Sequence, residues 1–161
     1  RNNPGGVLSA ASDVASLFIQ DKPVVQVHKQ QQLQEQVMTH GQVQFADMPL
    51  VIVQNRYSAS AAEVLASSLQ ENARATIFGE TSYGKGSIQS IVPLGDNTAV
   101  KLTVAHYYSG QGKKIDGVGV KPDIALTSAE TDWQTQVLDW LKQQKPTKVY
   151  RVQIPVAPQQ F

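Results

Sequence analysis

Apolar positions recur along the first half of the chain at two different periods. Leu8, Ala11, Ala15, Phe18 and Ile19 fall at helical spacing, and the pattern stops at Asp21-Lys22-Pro23, so a helix is predicted between the RNNPGG start and that break. Residues 23–27 read as a strand. A glutamine-rich polar span then leads to residues 42–45, so that 24–45 resembles a long hairpin or excursion, with an exposed variable loop as the alternative. Residues 50–53 are apolar without interruption between Pro49 and Gln54-Asn55, which suits a central strand buried on both faces. Directly after it, Ala61, Val64, Leu65, Ser68, Leu69 and Asn72 map to one side of a helix, with small residues that allow close approach to a sheet. The unit is strand, sharp turn, helix.

Further strands are predicted at residues 75–78, 87–92 and 99–108, the last after a Gly95-Asp96-Asn97 turn, and two glycine-rich turns follow. Trp133, Val137, Trp140 and Leu141 then mark an amphipathic helix before a Pro/Gln-rich tail. The mixture is an α/β class, a mixed sheet with packed helices and no internal repeat. The expected organisation is a core over residues 1–128, a C-terminal helix over 129–144, and a tail or linker over 145–161.

At 161 residues, 41% hydrophobic and 17% charged, the chain fits one globular domain able to bury a sizeable core. Its apolar runs are far shorter than the roughly 20 residues of a membrane-spanning helix. Fourteen basic against thirteen acidic residues, with no Lys/Arg cluster, argue against a nucleic-acid partner. The absence of cysteine excludes disulfides, zinc-thiolate sites and a cysteine nucleophile, and leaves the compartment open. No His/Asp/Glu cluster has metal-ligand spacing, so neither a metal nor a cofactor is expected. The chain starts at Arg1 with no signal region after it, and is read as a fragment.

Two stretches carry candidate chemistry. In GETSYGKGSIQ (residues 79–89) the spacing imitates a phosphate loop, but Gly86 stands where a Ser or Thr is needed after Lys85, and residues 87–92 alternate like a strand instead of opening a helix. In NRYSASAAE (55–63) Ser60 sits between a buried strand and a helix, a place where a nucleophile projects beside backbone N–H groups; Ser58 is the weaker candidate on the same turn. The bland reading of Ser60 is a capping box with Glu63, that of Lys85 a solvated lysine, and that of Gln89 a polar strand residue facing water. A serine needs a base. His28 and His40 lie in the polar span and His106 in a strand, where a structural role is usual, so a neutral lysine is the main competitor. A free lysine, with a pKa of about 10.4, must be buried to reach the range of about 7 to 8 where a base is effective, and Ile88 and Ile91 are the apolar neighbours at hand.

RNNPGG, SASAAE, FGETSYGKGSIQ and VKPDI, in this order and at these separations over residues 1–126, resemble the C-terminal processing (tail-specific) serine protease family. The resemblance implies a crotonase/Clp-protease-like core, with Ser60 as nucleophile, Lys85 as general base and Gln89 orienting the lysine. A Gln amide oxygen can hold the amine without adding a negative charge. Two oxyanion donors are expected: the Ala61 amide at the helix start and one amide of the glycine turn, from Gly5 or Gly6. The resemblance further implies polypeptide substrates engaged near their C-termini, no small-molecule cofactor, a PDZ domain in the full-length protein, membrane association through missing segments alone, and a periplasmic or cell-envelope location. Glu71 lies about 16 Å along the helix from Ser60, which argues for a structural role such as pairing with Arg74. Asp123 is expected to stabilise a turn, and Trp133 and Trp140 to serve the core. The rival from another class is a catalytically incompetent core fragment acting as a binding or assembly surface.

Overall fold

The apolar segments sort into two sheets of different wiring, with one helix between them. The computed structural model describes residues 1–126 and 132–144. Helix α1 (Leu8–Ser16) is followed by β1 (Pro23–Lys29), β2 (Gln32–Met38), β3 (Val51–Gln54), α2 (Ala61–Glu71), β4 (Thr76–Gly79), β5 (Ser87–Gly95), β6 (Thr98–Ser109), β7 (Ile124–Ala125) and α3 (Trp133–Gln143). One sheet is antiparallel in the order β2-β1-β6-β5, and the other is parallel in the order β3-β4-β7.

Helix α2 is apolar on two sides because it serves both sheets. Ala61, Val64 and Leu69 pack with Ala11 and Ala15 of α1 and Val24 and Val25 of β1. Ala66 turns the other way, onto Ile52, Ile77 and Val120. The small side chains foreseen on this helix are what permit the double approach.

Several elements differ from the sequence expectation. The helical spacing through Ile19 overruns α1, because after Ser16 the chain tightens into a turn in which Phe18 and Ile19 both donate to the Ala15 carbonyl, at 2.9 and 3.0 Å. The second arm of the hairpin is the glutamine-rich span itself. Strand β2 is a sheet edge and largely exposed, so water tolerates glutamine on it. Residues 42–45 form no strand; Gln44 and Phe45 instead donate to the Leu17 carbonyl, and the Phe18 and Phe45 rings meet at 5.7 Å. Strand β3 is half-buried and pairs, among the described residues, with β4 alone, so it is an edge and not a central strand.

Strand β1 reaches β6 only at His106–Ser109, and beyond that point β5 and β6 run on as an exposed two-stranded ribbon. Helix α3 lies where the Trp133 pattern placed it, with Val137 buried and Trp140 edge-on to Phe78 of β4 at 5.6 Å. The expected boundary at residue 128 and the tail over 145–161 lie outside the described residues. Among the described residues, no helix is long and apolar enough to cross a membrane.

Candidate functional site

The turn from β3 into α2 holds Ser60 at φ 58° and ψ −124°, a left-handed backbone that a residue with a Cβ rarely adopts. Such a conformation costs on the order of 1–3 kcal/mol and persists where the surroundings over-determine it. The surroundings do so here. Ser58 N–H donates to the Asn55 carbonyl at 2.8 Å, and Asn55 N–H donates to Ser58 Oγ at 3.2 Å. The Ser58 hydroxyl is therefore buried and occupied by the turn, whereas Ser60 is half-exposed at the start of α2.

Glu63, one turn further on, is fully buried. Its Oε2 accepts the backbone N–H of Ser60 at 2.8 Å, as a capping box requires, and also the backbone N–H of Lys85 at 2.8 Å. Oε1 accepts Gly84 N–H at 2.6 Å and the Ser82 hydroxyl at 2.5 Å. One carboxylate thus ties the Ser60 turn to the loop carrying Lys85. The sequence reading gave Glu63 a local cap and missed the rest, although a signal existed: it is the only charged residue from 57 to 70.

The 82–86 loop is pinned from its other side as well. Val120 N–H donates to Ser82 Oγ at 2.7 Å, and Gly117 N–H to the Gly84 carbonyl at 2.9 Å. Gly84 has φ +86°, and a Cβ there would come within 3.0 Å of the Val118 and Gly119 nitrogens. Lys85 projects its side chain into solvent from this anchored backbone, without the apolar cover expected for it; Ile91 is 69% exposed. Strand β5 begins at Ser87 and no helix follows Lys85, as the alternation indicated.

Gln89 makes no hydrogen bond to Lys85 among the described residues. It is exposed on β5 opposite Thr103, whereas Lys85 lies in the loop before β5, which begins at Ser87. Among the described residues neither side chain has a hydrogen-bond partner.

The glycine turn lies against the Ser60 turn. Gly5 has φ +94°, and a Cβ there would sit 2.6 Å from the Ala59 oxygen, 2.8 Å from the Ser60 Cβ and 2.9 Å from the Ala61 nitrogen. Asn3 and Asn55 fasten the contact: the Asn3 carbonyl accepts Ala59 N–H at 2.9 Å, Asn2 N–H donates to Asn55 Oδ1 at 3.0 Å, and Asn55 Nδ2 donates to Asn2 Oδ1 at 2.8 Å. Gly5 N–H donates to Asn3 Oδ1 at 2.9 Å, whereas Gly6 N–H and Ala61 N–H have no partner among the described residues. An apolar groove of about 190 Å³ runs from there between α1 and α2.

The three histidines are engaged elsewhere. His28 Nε2 bonds Gln26 Oε1 at 3.0 Å and the ring stacks on Tyr108; His40 lies 3.1 Å from Asp13; His106 lies 3.4 Å from Asp116. Glu71 does not pair with Arg74, which donates to the Phe45 and Met48 carbonyls and covers the Phe18 ring. Its carboxylate instead accepts the Ser109 hydroxyl at 2.6 Å and Gln111 N–H at 3.1 Å, and faces Lys113 at 3.4 Å. Asp123, just before β7, ties in β4 and α2: Oδ2 accepts Ile77 N–H at 2.7 Å and Oδ1 accepts Gln70 Nε2 at 2.8 Å. Among the described residues, no group of three His/Cys/Asp/Glu could hold a metal ion.

Residues 1–126 match Peptidase family S41, and the chain belongs to that family. It is 42% identical over 123 residues to a carboxyl-terminal-processing protease of Synechocystis, covering 76% of this chain and 29% of that protein. It is 41% identical over 134 residues to the chloroplastic carboxyl-terminal-processing peptidase 3 of Arabidopsis thaliana, covering 82% of this chain and 26% of that one. The chain thus spans less than a third of these curated relatives. In structure it is similar to the photosystem II D1 C-terminal processing protease, with a TM-score of 0.74 and 38% identity over 78% of this chain and 33% of that one. A lipoprotein from Streptococcus agalactiae shares the fold at a TM-score of 0.67 and 20% identity, over 88% of this chain and 52% of that chain.

Proposed function

We propose that this chain is the core of a serine endopeptidase in which Ser60 Oγ attacks a peptide carbonyl. Lys85, as the free amine, takes the serine proton and delivers it to the leaving amine; water then hydrolyses the acyl-enzyme with the same lysine as proton carrier. The observation that carries this reading is the shared carboxylate of Glu63, which holds the backbones of Ser60 and Lys85 to one oxygen. Ala61 N–H and Gly6 N–H, both without a protein partner, are the proposed oxyanion donors, and Gly5 lets the turn approach. Gln89 is the proposed acceptor that orients the Lys85 amine once the two exposed side chains turn toward each other. Removing water from Lys85 falls to the bound peptide, since covering an ammonium group disfavours its charge. The substrates are polypeptides engaged near their C-termini, in keeping with the names of the relatives, and the periplasm or cell envelope is the compartment this family reading carries.

The rival reading, a binding or assembly surface without activity, draws on the exposure of Lys85 and on the fraction of the relatives that this chain spans. Incubation with an unstructured polypeptide and with a serine-directed fluorophosphonate separates the two. Parent protein is expected to cleave the polypeptide and to be labelled on Ser60, whereas Ser60→Ala and Lys85→Arg do neither. Equal cleavage by parent and Ser60→Ala removes Ser60 from the mechanism.

A further inference from the structure

Behind the Lys85 loop, Asp116 and His106 form a pair that the peptidase chemistry does not use. Asp116 Oδ1 accepts the backbone N–H of Gly86 at 3.1 Å, and Oδ2 lies 3.4 Å from Nδ1 of His106. That nitrogen is shielded from solvent and has no aligned hydrogen bond, which leaves the neighbouring carboxylate as the partner at hand. The fit at Gly86 is close: a Cβ there would come within 2.5 Å of the Asp116 nitrogen. The Gly86 carbonyl is also taken, by Tyr107 N–H at 2.5 Å, one residue from His106 on β6.

Two successive N–H groups, those of Lys85 and Gly86, therefore go to two carboxylates on different elements, Glu63 of α2 and Asp116 of the loop after β6. The first bond fixes the peptide plane before the Lys85 Cα and the second fixes the plane after it. Together they set both soft backbone dihedrals of Lys85, and hence the direction in which its side chain leaves the loop. For an exposed four-carbon side chain, the direction of its Cα–Cβ bond is the part of its aim that the backbone sets.

We infer that Asp116, anchored by His106, is a positioning residue for Lys85. The inference rests on the reading of Lys85 as the base. It acts through backbone geometry, so its loss lowers the rate at which Ser60 reacts without weakening the binding of the reagent. Asp116→Asn keeps an oxygen for Gly86 N–H, whereas Asp116→Ala removes it.

The test is the labelling of Ser60 by a fluorophosphonate, resolved into maximal rate and half-saturating concentration, together with hydrogen exchange at the Gly86 amide. Asp116→Ala is expected to lower the maximal rate about tenfold with the half-saturating concentration unchanged, the size expected for one charge-assisted hydrogen bond. Its Gly86 amide should exchange faster, and Asp116→Asn should restore both values. Parent rate and parent exchange in Asp116→Ala overturn the inference, as does an Asn variant no better than Ala. If Asp116→Ala does not fold, His106→Phe carries the test, because it keeps the Asp116 carboxylate but removes the contact that holds it against Gly86; labelling about threefold slower supports the anchor and an unchanged rate overturns it. A Lys85→Ala variant labelled as fast as parent overturns the Ser-Lys reading and this inference with it. Normal loss in Lys85→Ala beside no loss in Asp116→Ala sinks this inference alone.

Discussion

Ser60 and Lys85, separated by 25 positions along the chain, donate their backbone N–H groups to the same oxygen, Oε2 of Glu63, each at 2.8 Å. The relationship joins backbones, so it holds wherever the exposed lysine side chain points. It also explains why a charged side chain can be wholly buried in α2. Four donors converge on one carboxylate, and a buried anion with its hydrogen bonds filled avoids the penalty of an unpaired one.

Glu63 should accordingly be among the least replaceable side chains of the protein. Glu63→Ala leaves buried N–H groups without acceptors and should cost on the order of 3–5 kcal/mol of stability, read from urea unfolding. Glu63→Gln presents an NH₂ to N–H donors and should lose most of that amount, with Ser60 labelling abolished. A Gln variant with parental stability and parental labelling would mean that the shared carboxylate is dispensable.

The backbone of Ser60 offers a prediction of opposite sign. Its φ of 58° and ψ of −124° strain any residue with a Cβ, so Ser60→Gly should be more stable than Ser60→Ala by about 1 kcal/mol, while both lose the hydroxyl and all labelling. Equal stability of the two variants in thermal or urea unfolding would show that the turn stores no strain.

The parts of this site legible in the sequence are those whose chemistry is local. A strand, a short turn and a helix with small residues announce where Ser60 stands, and glycines flanking Lys85 announce a tight loop, because turn geometry and residue type constrain each other within a few positions. Glu63 was legible only as a cap, since its other three donors, on Ser82, Gly84 and Lys85, come from 19 to 22 residues away. Whether Gln89 shares a face with Lys85 was not legible, since Lys85 lies in the glycine loop before β5 and strand alternation does not extend to it. Strand β2 was obscured for another reason: an edge strand facing water needs no apolar periodicity, so its glutamines read as loop. The apolar run at β3 misled in the opposite direction, promising a central strand where the described structure has an edge.

The two glycines of the RNNPGG turn should respond differently to a methyl group. Gly5→Ala places a Cβ within 2.9 Å of three atoms of the Ser60 turn at positive φ, and should cost about 2–3 kcal/mol and impair labelling. A Cβ on Gly6 meets nothing within 4 Å, so Gly6→Ala should stay within about 0.5 kcal/mol of parent. The same ranking should appear in labelling rates. Similar losses from both changes would contradict the close approach at Gly5.

At the far end of α2, Glu71 and Lys113 form an ion pair whose halves differ in exposure: the Glu71 side chain is 4% exposed and that of Lys113 71%. Solvent screening makes the lysine half worth little, so Lys113→Ala should cost under about 1 kcal/mol. The carboxylate also accepts the Ser109 hydroxyl and Gln111 N–H, which fastens the loop after β6 onto the helix. Glu71→Ala should therefore cost about 2–4 kcal/mol, several times the lysine change, and Glu71→Gln should recover part of it, because the amide oxygen still accepts one of the two bonds. Urea unfolding of the three variants decides the matter. If Lys113→Ala proves as costly as Glu71→Ala, the ion pair and not the loop anchorage holds this end of the helix.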